Sequence, residues 1–223
     1  MINAGIIVFP GTNCDRDAEF ALKMCGFNTE YVWHDFTNIS KYNLIFIPGG
    51  FSYGDYLRAG VLARFSPVMK EIEKYILNNK GYVIGVCNGF QILTEAGILR
   101  GALTKNKSLK FICKDVELKI MNKNTIFTKH IKKNNLIIPI AHGEGNYYIE
   151  NYEELKNKNL IAFEYIENPN GSIGNIAGIY NEKFNVLGMM PHPERNSVNL
   201  LGNGDGREIL LSIRRSIENE YIL

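Results

Sequence analysis

The segment GVCNG at positions 85–89 places Cys87 between two glycines, directly after the apolar run Tyr82–Val86. This is the pattern of a nucleophile elbow, a sharp turn from strand to helix that exposes a reactive side chain. A β-carbon at either glycine would collide with neighbouring strands. The free N–H groups of the following helix would favour a thiolate and stabilise an oxyanion. The pattern predicts a nucleophile at Cys87; the alternative is a buried small hydrophobe.

A thiol nucleophile needs a base, and His192 is the best candidate among the four histidines. It lies in the segment PHPE at 191–194, where two prolines restrict the backbone. In an extended segment His192 and Glu194 project to the same face, so the carboxylate could orient the imidazole. The alternative is a proline-rich surface turn with an incidental histidine. His142, in a glycine-flanked turn after an apolar strand, is expected to line a pocket.

The four cysteines, Cys14, Cys25, Cys87 and Cys113, are widely spaced and form no CxxC pair. This spacing argues against a disulfide framework and against a structural zinc site, so no metal is predicted. Cys14 follows the first predicted strand. We expect it to be a structural or pocket-rim residue, because no base is evident near it, and we keep it as the reserve nucleophile.

Short apolar strands alternate with helices in the first hundred residues. Strands are predicted at 4–9, 28–32, 44–47 and 82–86, and helices at 17–26 (capped by Asp17), 69–77 and 88–96. This order predicts a flavodoxin-like α/β fold, an open and mostly parallel sheet with helices on both faces that binds ligands at the carboxyl ends of its strands. The segments 111–121 and 136–140 indicate a small mixed or antiparallel extension, and Asp205 is expected to cap a final helix that ends at Glu218.

Length and composition indicate an ordinary globular protein. The chain has 223 residues, of which 45% are hydrophobic and 22% are charged, which suits one α/β domain. A formal charge of +2 gives no reason to expect nucleic acid or an acidic membrane as a partner. No apolar stretch reaches the roughly 18 residues needed to span a bilayer, and the start does not resemble a signal peptide. We therefore expect a cytoplasmic location.

Together, GVCNGFQ at 85–91 and PHPE at 191–194 resemble the class I, or triad, glutamine amidotransferases. Three further segments, FPGTNCD at 9–15, PGGFSYGD at 48–55 and AHGEG at 141–145, are similar to the glutaminase subunits of phosphoribosylformylglycinamidine synthases, which act in de novo purine biosynthesis. The resemblance runs from about Ile6 to Arg195. It implies that residues 1–223 form a single class I amidotransferase domain.

The resemblance implies a role for each catalytic residue. Cys87 would attack the side-chain amide of glutamine to give a glutamyl thioester and ammonia. His192 would protonate the leaving ammonia and later activate water, while Glu194 orients His192.

It also implies the contacts around the substrate. Backbone N–H groups of Gly50 or Phe51 and of Asn88 would hold the oxyanion. Gln91, one helical turn beyond the nucleophile, would contact glutamine; the alternative is an ordinary exposed helix residue.

The resemblance further implies a partner, a large synthase subunit that uses the ammonia to make formylglycinamidine ribonucleotide; a small third subunit is left open. The chain has no GxxxxGK[ST] phosphate loop, so we expect it to bind no cofactor and expect ATP and Mg on the synthase. One alternative is a free-standing cysteine hydrolase or deglycase on a similar sheet, which the PHPE and GGFS segments disfavour. Another is a silent binding subunit, against which the presence of all three triad residue types argues.

Overall fold

The computed structural model describes residues 1–78, 81–200 and 202–220. The strands are β1 Asn3–Val8, β2 Asn28–Trp33, β3 Leu44–Ile47, β4 Tyr82–Val86, β5 Ala102–Thr104, β6 Ile112–Ile120, β7 Asn135–His142, β8 Asn146–Tyr148, β9 Ile161–Tyr165, β10 Ile176–Tyr180 and β11 Val186–Met189. The helices are α1 Asp15–Met24, α2 Pro67–Leu77, α3 Asn88–Glu95, α4 Tyr152–Asn157 and α5 Asp205–Glu220.

One nine-stranded sheet organises the molecule, in the order β2-β1-β3-β4-β11-β10-β9-β6-β7. The first five strands of this order run parallel, and each later strand is antiparallel to its neighbour. A separate two-stranded antiparallel sheet joins β5 and β8. The predicted flavodoxin-like fold is confirmed. Its antiparallel extension is larger than expected, because four strands continue the main sheet.

The central parallel strands β3 and β4 are apolar because both faces of the sheet are covered there. All four residues of β3 are buried, as are four of the five in β4. Helix α1 packs on β1 and β2 and touches α5, while α3 packs over β3, β4 and β11. In the described part of the chain, no helix is both long and apolar enough to cross a membrane.

The two predicted aspartate caps are wrong. Helix α1 begins at Asp15, because the carbonyl of Cys14 already accepts a hydrogen bond from the Ala18 N–H at 3.0 Å. Asp17 lies instead in the first turn, where its charge favours the helix. Asp205 is the first residue of α5, and its carboxylate accepts the N–H of Ile137 in β7 at 2.8 Å.

Candidate active site

Cys87 occupies the turn between β4 and α3 with φ 51° and ψ −107°. Positive φ is costly for a residue with a side chain, and such strain tends to persist at functional sites. A β-carbon at Gly89 would lie 2.0 Å from the Ile47 carbonyl oxygen, and one at Gly85 would lie 2.4 Å from Leu93 Cδ1. The predicted need for both glycines is therefore confirmed. Only Gly89 faces a neighbouring strand, however, because Gly85 packs against α3.

His192 and Glu194 form a buried hydrogen-bonded pair, with 2.6 Å between Nδ1 and Oε1. Their exposed fractions are 1% and 2%. The backbone is not extended as expected: a 3-10 turn at Pro193–Asn196 follows His192 and brings the carboxylate to the ring. Proline suits the first position of such a turn because its φ is already near the helical value. Since Nδ1 bonds the carboxylate, Nε2 remains for proton exchange with a thiol.

The electrostatics of this pair favour a charged imidazole. Burial lowers the pKa of His192, but the charges of Glu194 and Cys87 oppose this effect, and the pKa lies well above its usual value. Nε2 of His192 is buried and has no hydrogen-bond partner among the described residues. This nitrogen is therefore available to the reaction.

Two cysteines lie beside His192, because Gly49 leaves room between them. A β-carbon at Gly49 would be 2.7 Å from His192 Cε1, 3.1 Å from Cys14 Sγ and 3.4 Å from Cys87 Cβ. The expectation that no base lies near Cys14 is thus wrong. Ligand atoms of Cys14, His192 and Glu194 lie within 4.8 Å of one another, a spacing that a metal ion could also use.

The two thiols have different surroundings. The sulfur of Cys14 accepts a hydrogen bond from Arg195 Nη2 at 2.9 Å, and the residue is 1% exposed. Cys87 is 6% exposed, and its sulfur lies 3.6 Å from the Ala141 carbonyl oxygen. Cys14 is therefore held by a cation, whereas the elbow presents Cys87 to the pocket.

A cavity of about 270 Å³ opens beside the two thiols. As expected, its lining includes Gly50, Phe51, Gln91 and His142, together with Cys14, Cys87 and His192. It also includes Asp55, Glu144 and Arg195, to which the sequence pattern assigned no role. Asp55 and Glu144 lie in segments that carried the resemblance and follow glycines, which could have drawn attention to them; Arg195 directly follows the segment at 191–194. A larger cavity of about 640 Å³ lies elsewhere, and its lining contains neither cysteine nor histidine.

The expected oxyanion donors differ in whether their N–H groups are free. The Phe51 N–H donates to the Gly11 carbonyl at 3.0 Å and is engaged in this structure. No acceptor among the described residues takes the Gly50 N–H. Asn88 is the first residue of α3, so the helix itself leaves its N–H unsatisfied. Gly50 and Asn88 therefore keep backbone N–H groups that no described residue accepts.

Gln91 is buried rather than exposed, with an exposed fraction of 6%. Its Oε1 accepts from Asn88 Nδ2 at 2.9 Å, and its Nε2 donates to the Glu144 carbonyl at 2.6 Å. Asn88 Oδ1 in turn accepts the Ser52 N–H at 3.0 Å. These bonds connect α3 to the loops after β3 and β7, so Gln91 helps to fix the shape of the pocket.

The hydrogen bonds around His142 fix its tautomer. Asn106 Nδ2 donates to the carbonyls of Lys110 and His142, and Asn106 Oδ1 accepts the Gly145 N–H at 3.0 Å. The same Oδ1 lies 3.0 Å from His142 Nδ1, which must therefore carry the proton. Burial, and then the charge of His192, lowers the pKa of His142 to about 4. His142 is neutral at pH 7, and its Nε2 is a bare acceptor.

A strained cysteine at an elbow, next to a buried histidine–glutamate pair, defines a cysteine-dependent enzyme that acts by acyl transfer. The family model that matches residues 2–204 describes a CobB/CobQ-like glutamine amidotransferase domain. The chain belongs to the glutamine amidotransferase family.

Solved structures agree with this assignment. A chain of the Thermotoga maritima structure described as PurLQS is 44% identical, with a TM-score of 0.90 over 97% of this chain and 99% of that chain. A Thermoplasma acidophilum protein described as part of a GMP synthase is 15% identical, with a TM-score of 0.69 over 100% and 98%. The glutaminase domain of Trypanosoma brucei CTPS is 14% identical, with a TM-score of 0.66 over 98% and 94%. The last two show likeness of fold alone.

Proposed function

We propose that the chain is the cytoplasmic, single-domain glutaminase subunit of a phosphoribosylformylglycinamidine synthase. The observation that carries the proposal is that Cys87 and His192 line one cavity, while Glu194 hydrogen-bonds His192 from behind. The 44% identity to a chain of the Thermotoga PurLQS structure supports the choice of synthase.

The geometry supports a two-step hydrolysis. The Cys87 sulfur attacks the amide carbon of glutamine, and the N–H groups of Gly50 and Asn88 stabilise the oxyanion. His192 Nε2 passes the thiol proton to the leaving nitrogen, so ammonia departs and a glutamyl thioester remains. Water then attacks the thioester while His192 takes its proton. Glutamate leaves, and the proton returns to the sulfur.

Two observations favour Cys87 over Cys14 as the nucleophile. The backbone at Cys87 has the strained conformation of an elbow, and its sulfur contacts the Ala141 carbonyl rather than an arginine. Cys14 also precedes a helix, but its φ of −100° is unstrained. Its sulfur already accepts a hydrogen bond from Arg195.

The pocket mouth supports a docking partner. Phe51 and Phe111 line the cavity yet are 48% and 56% exposed, and the neighbouring Tyr56 and Leu57 are 73% and 88% exposed. A cluster of exposed apolar side chains at a functional site is typical of an interaction surface. We assign this rim to the large synthase subunit, which would hold ATP and Mg and receive ammonia; a small third subunit is not assigned a surface.

The first test compares two nitrogen sources in the assembled complex. Cys87→Ala is expected to abolish glutamine-driven synthesis and to preserve ammonia-driven synthesis, since the variant lacks only the nucleophile. Steady-state rates with glutamine and with an ammonium salt measure both activities. Equal loss of the two would mean that Cys87 is structural.

A second test addresses the nucleophile and the partner together. A diazo-ketone analogue of glutamine should label Cys87, faster with the synthase present and more slowly with glutamine present, as peptide mass mapping would show. Labelling at Cys14 would identify Cys14, and not Cys87, as the nucleophile. Glutaminase activity of the isolated chain equal to that of the complex would favour a free-standing hydrolase.

A further inference from the structure

Side chains from three distant segments of the chain form a cluster of potential metal ligands. Ligand atoms of Cys14, His192 and Glu194 lie within 4.8 Å of one another, and all three residues are buried. Cys87 lies beside the same imidazole. Zn²⁺ holds thiolate and imidazole ligands at about 2.3 and 2.0 Å, so atoms at this spacing can share an ion after small side-chain rotations. The cluster therefore has the donor set of a zinc site, although its residues are too far apart in the sequence to form a recognisable motif.

The orientation of His192 matches that of a histidine that binds metal. Such histidines usually donate one ring N–H to a carboxylate and bind the ion through the other nitrogen. His192 Nδ1 lies 2.6 Å from Glu194 Oε1, which leaves Nε2 for an ion. Nε2 is buried and has no hydrogen-bond partner among the described residues, and Glu194 Oε2 is in the same condition. Because native structures usually satisfy buried polar atoms, this pair of atoms points to a ligand.

The surroundings of the Cys14 sulfur suit a metal-bound thiolate. Arg195 Nη2 donates a hydrogen bond to this sulfur at 2.9 Å, and the thiol donates to Asn13 Oδ1 at 3.2 Å. A hydrogen bond from a guanidinium favours an anionic sulfur, which is the form that binds metal. Only the contact with Asn13 needs the thiol proton, and a thiol is a weak donor. Cys14 can therefore become a ligand at little cost in hydrogen bonding.

The charges around the cluster also favour a cation. When both thiols are deprotonated, Cys14, Cys87 and Glu194 each carry one negative charge. Arg195 supplies one positive charge beside the Cys14 sulfur, and Asp17 partly neutralises it from 3.4 Å. Three negative charges and one positive charge leave an excess of two negative charges. Buried charges are usually paired or bound to metal, and a divalent cation would balance this excess.

We infer that Cys14, Cys87 and His192 Nε2 form an inhibitory binding site for Zn²⁺ or a similarly thiophilic divalent cation. Glu194 orients the histidine from behind. Each thiol releases one proton to the solvent when the ion binds, and no electron is transferred. The bound ion occupies the nucleophile and the base together, so it stops glutamine hydrolysis. The inference gives a role to Cys14, which the two-step hydrolysis does not use; metal binding is independent of the proposed function, and only the inhibition rests on it.

The first experiment measures metal binding directly, on the full chain with Co²⁺ as the probe. Thiolate ligands give Co²⁺ an intense charge-transfer absorption, which the wild type should show and which added Zn²⁺ should abolish by displacing Co²⁺. Competition titrations then give the Zn²⁺ affinity of each variant. Cys14→Ser should weaken this affinity by more than the roughly 10- to 100-fold expected for Glu194→Gln, since loss of a ligand costs more than loss of the group that orients one.

Two further variants control this measurement. Cys113→Ser is the matched control, because Cys113 is a free, exposed cysteine that does not belong to the described lining of the cavity. It should bind Zn²⁺ as the wild type does. Cys14→Ala lacks the hydroxyl oxygen that serine could offer to a metal, so it should weaken binding at least as much as Cys14→Ser. Thermal unfolding of the metal-free variants checks that each one is folded.

The second experiment measures inhibition in the complete complex of chain and synthase. Buffered Zn²⁺ should inhibit glutamine-driven synthesis, and a chelator should restore the rate. Ammonia-driven synthesis at the same Zn²⁺ concentration should be unaffected, which separates this site from any effect of the metal on the synthase. In Cys14→Ser the Zn²⁺ concentration for half inhibition should rise by the same factor as the dissociation constant measured on the chain.

The outcomes separate the metal site from the proposed function. Equal Zn²⁺ affinity in Cys14→Ser, Cys14→Ala and the wild type would overturn the inference, because Cys14 would not be a ligand. Absence of thiolate absorption from Co²⁺ in the wild-type chain would overturn it as well. Metal binding that depends on Cys14, in a complex without Cys87-dependent glutamine hydrolysis, would support the metal site and overturn the proposed function.

Discussion

The turns that carry Cys14 and Cys87 have the same local plan and different surroundings. Each follows a parallel strand and precedes a helix, and each directs a thiol toward His192. At Cys14 the backbone is relaxed and Arg195 binds the sulfur, whereas at Cys87 the backbone is strained, and Gly89 and Gly85 pack tightly beside it. Both thiols therefore lie close to His192. They differ in backbone conformation and in the charged groups beside them.

This difference shows what an elbow contributes. Both helices offer free N–H groups, so the helix terminus alone cannot select a nucleophile. The elbow adds a strained backbone that presents the thiol at the start of α3, in a cavity that Gly50 also lines. Preorganised donors of this kind account for a large part of enzymatic rate acceleration.

The largest expected effect comes from removing each sulfur in turn. Cys87→Ser should lower kcat for glutamine hydrolysis by about 10⁴-fold or more, as for other covalent nucleophiles. Cys14→Ser should lower it by less than about tenfold, because it perturbs only the surroundings of His192. Assays of glutamate release by the complex measure both. Comparable losses in the two variants would remove the distinction between the turns.

A smaller effect is expected from replacing Glu194, the carboxylate that hydrogen-bonds His192. Glu194→Gln keeps the shape but removes the charge that raises the pKa of His192, so burial should then favour neutral imidazole. We expect kcat to fall by about 10²- to 10⁴-fold, as when a triad carboxylate is replaced by an amide. The pH profile of kcat/KM should shift to lower pH, since the pKa of His192 falls. A reduced rate with an unchanged profile would contradict this role.

The predictable parts of the molecule are those with local signals. The strands 44–47 and 82–86 have the predicted bounds, because a continuous apolar run between turn residues marks a buried parallel strand. The antiparallel half was predicted only in part: β9 and β10 were missed, and their pairing with β6 and β11 depends on partners distant in the sequence. The elbow at Cys87 and the place of His192 beside it were likewise predicted from local sequence patterns.

The remainder of the site depends on contacts between distant segments. The pairing of Cys14 with Arg195 joins residues 181 positions apart, and no local pattern indicates it. The interaction of Asp55 with Glu144 arises because two loops end at the same edge of the sheet. An extended segment was predicted in place of the 3-10 turn after His192, because the fixed φ of proline is compatible with both conformations. Each of these features required the fold before it could be recognised.

The smallest of these effects concerns the packing that holds the elbow. Gly89→Ala should be destabilising by roughly 2–3 kcal/mol despite the better helix propensity of alanine, because its β-carbon would meet the Ile47 carbonyl oxygen at 2.0 Å. Gly97→Ala is the control: nothing lies within 4 Å of its β-carbon, and only its φ of 70° opposes the change, at about 1 kcal/mol. Urea unfolding would measure both free energies. If the two variants were equally stable, close packing against β3 would not be what holds Cys87 in its strained conformation, and the contrast with Cys14 would rest on Arg195 alone.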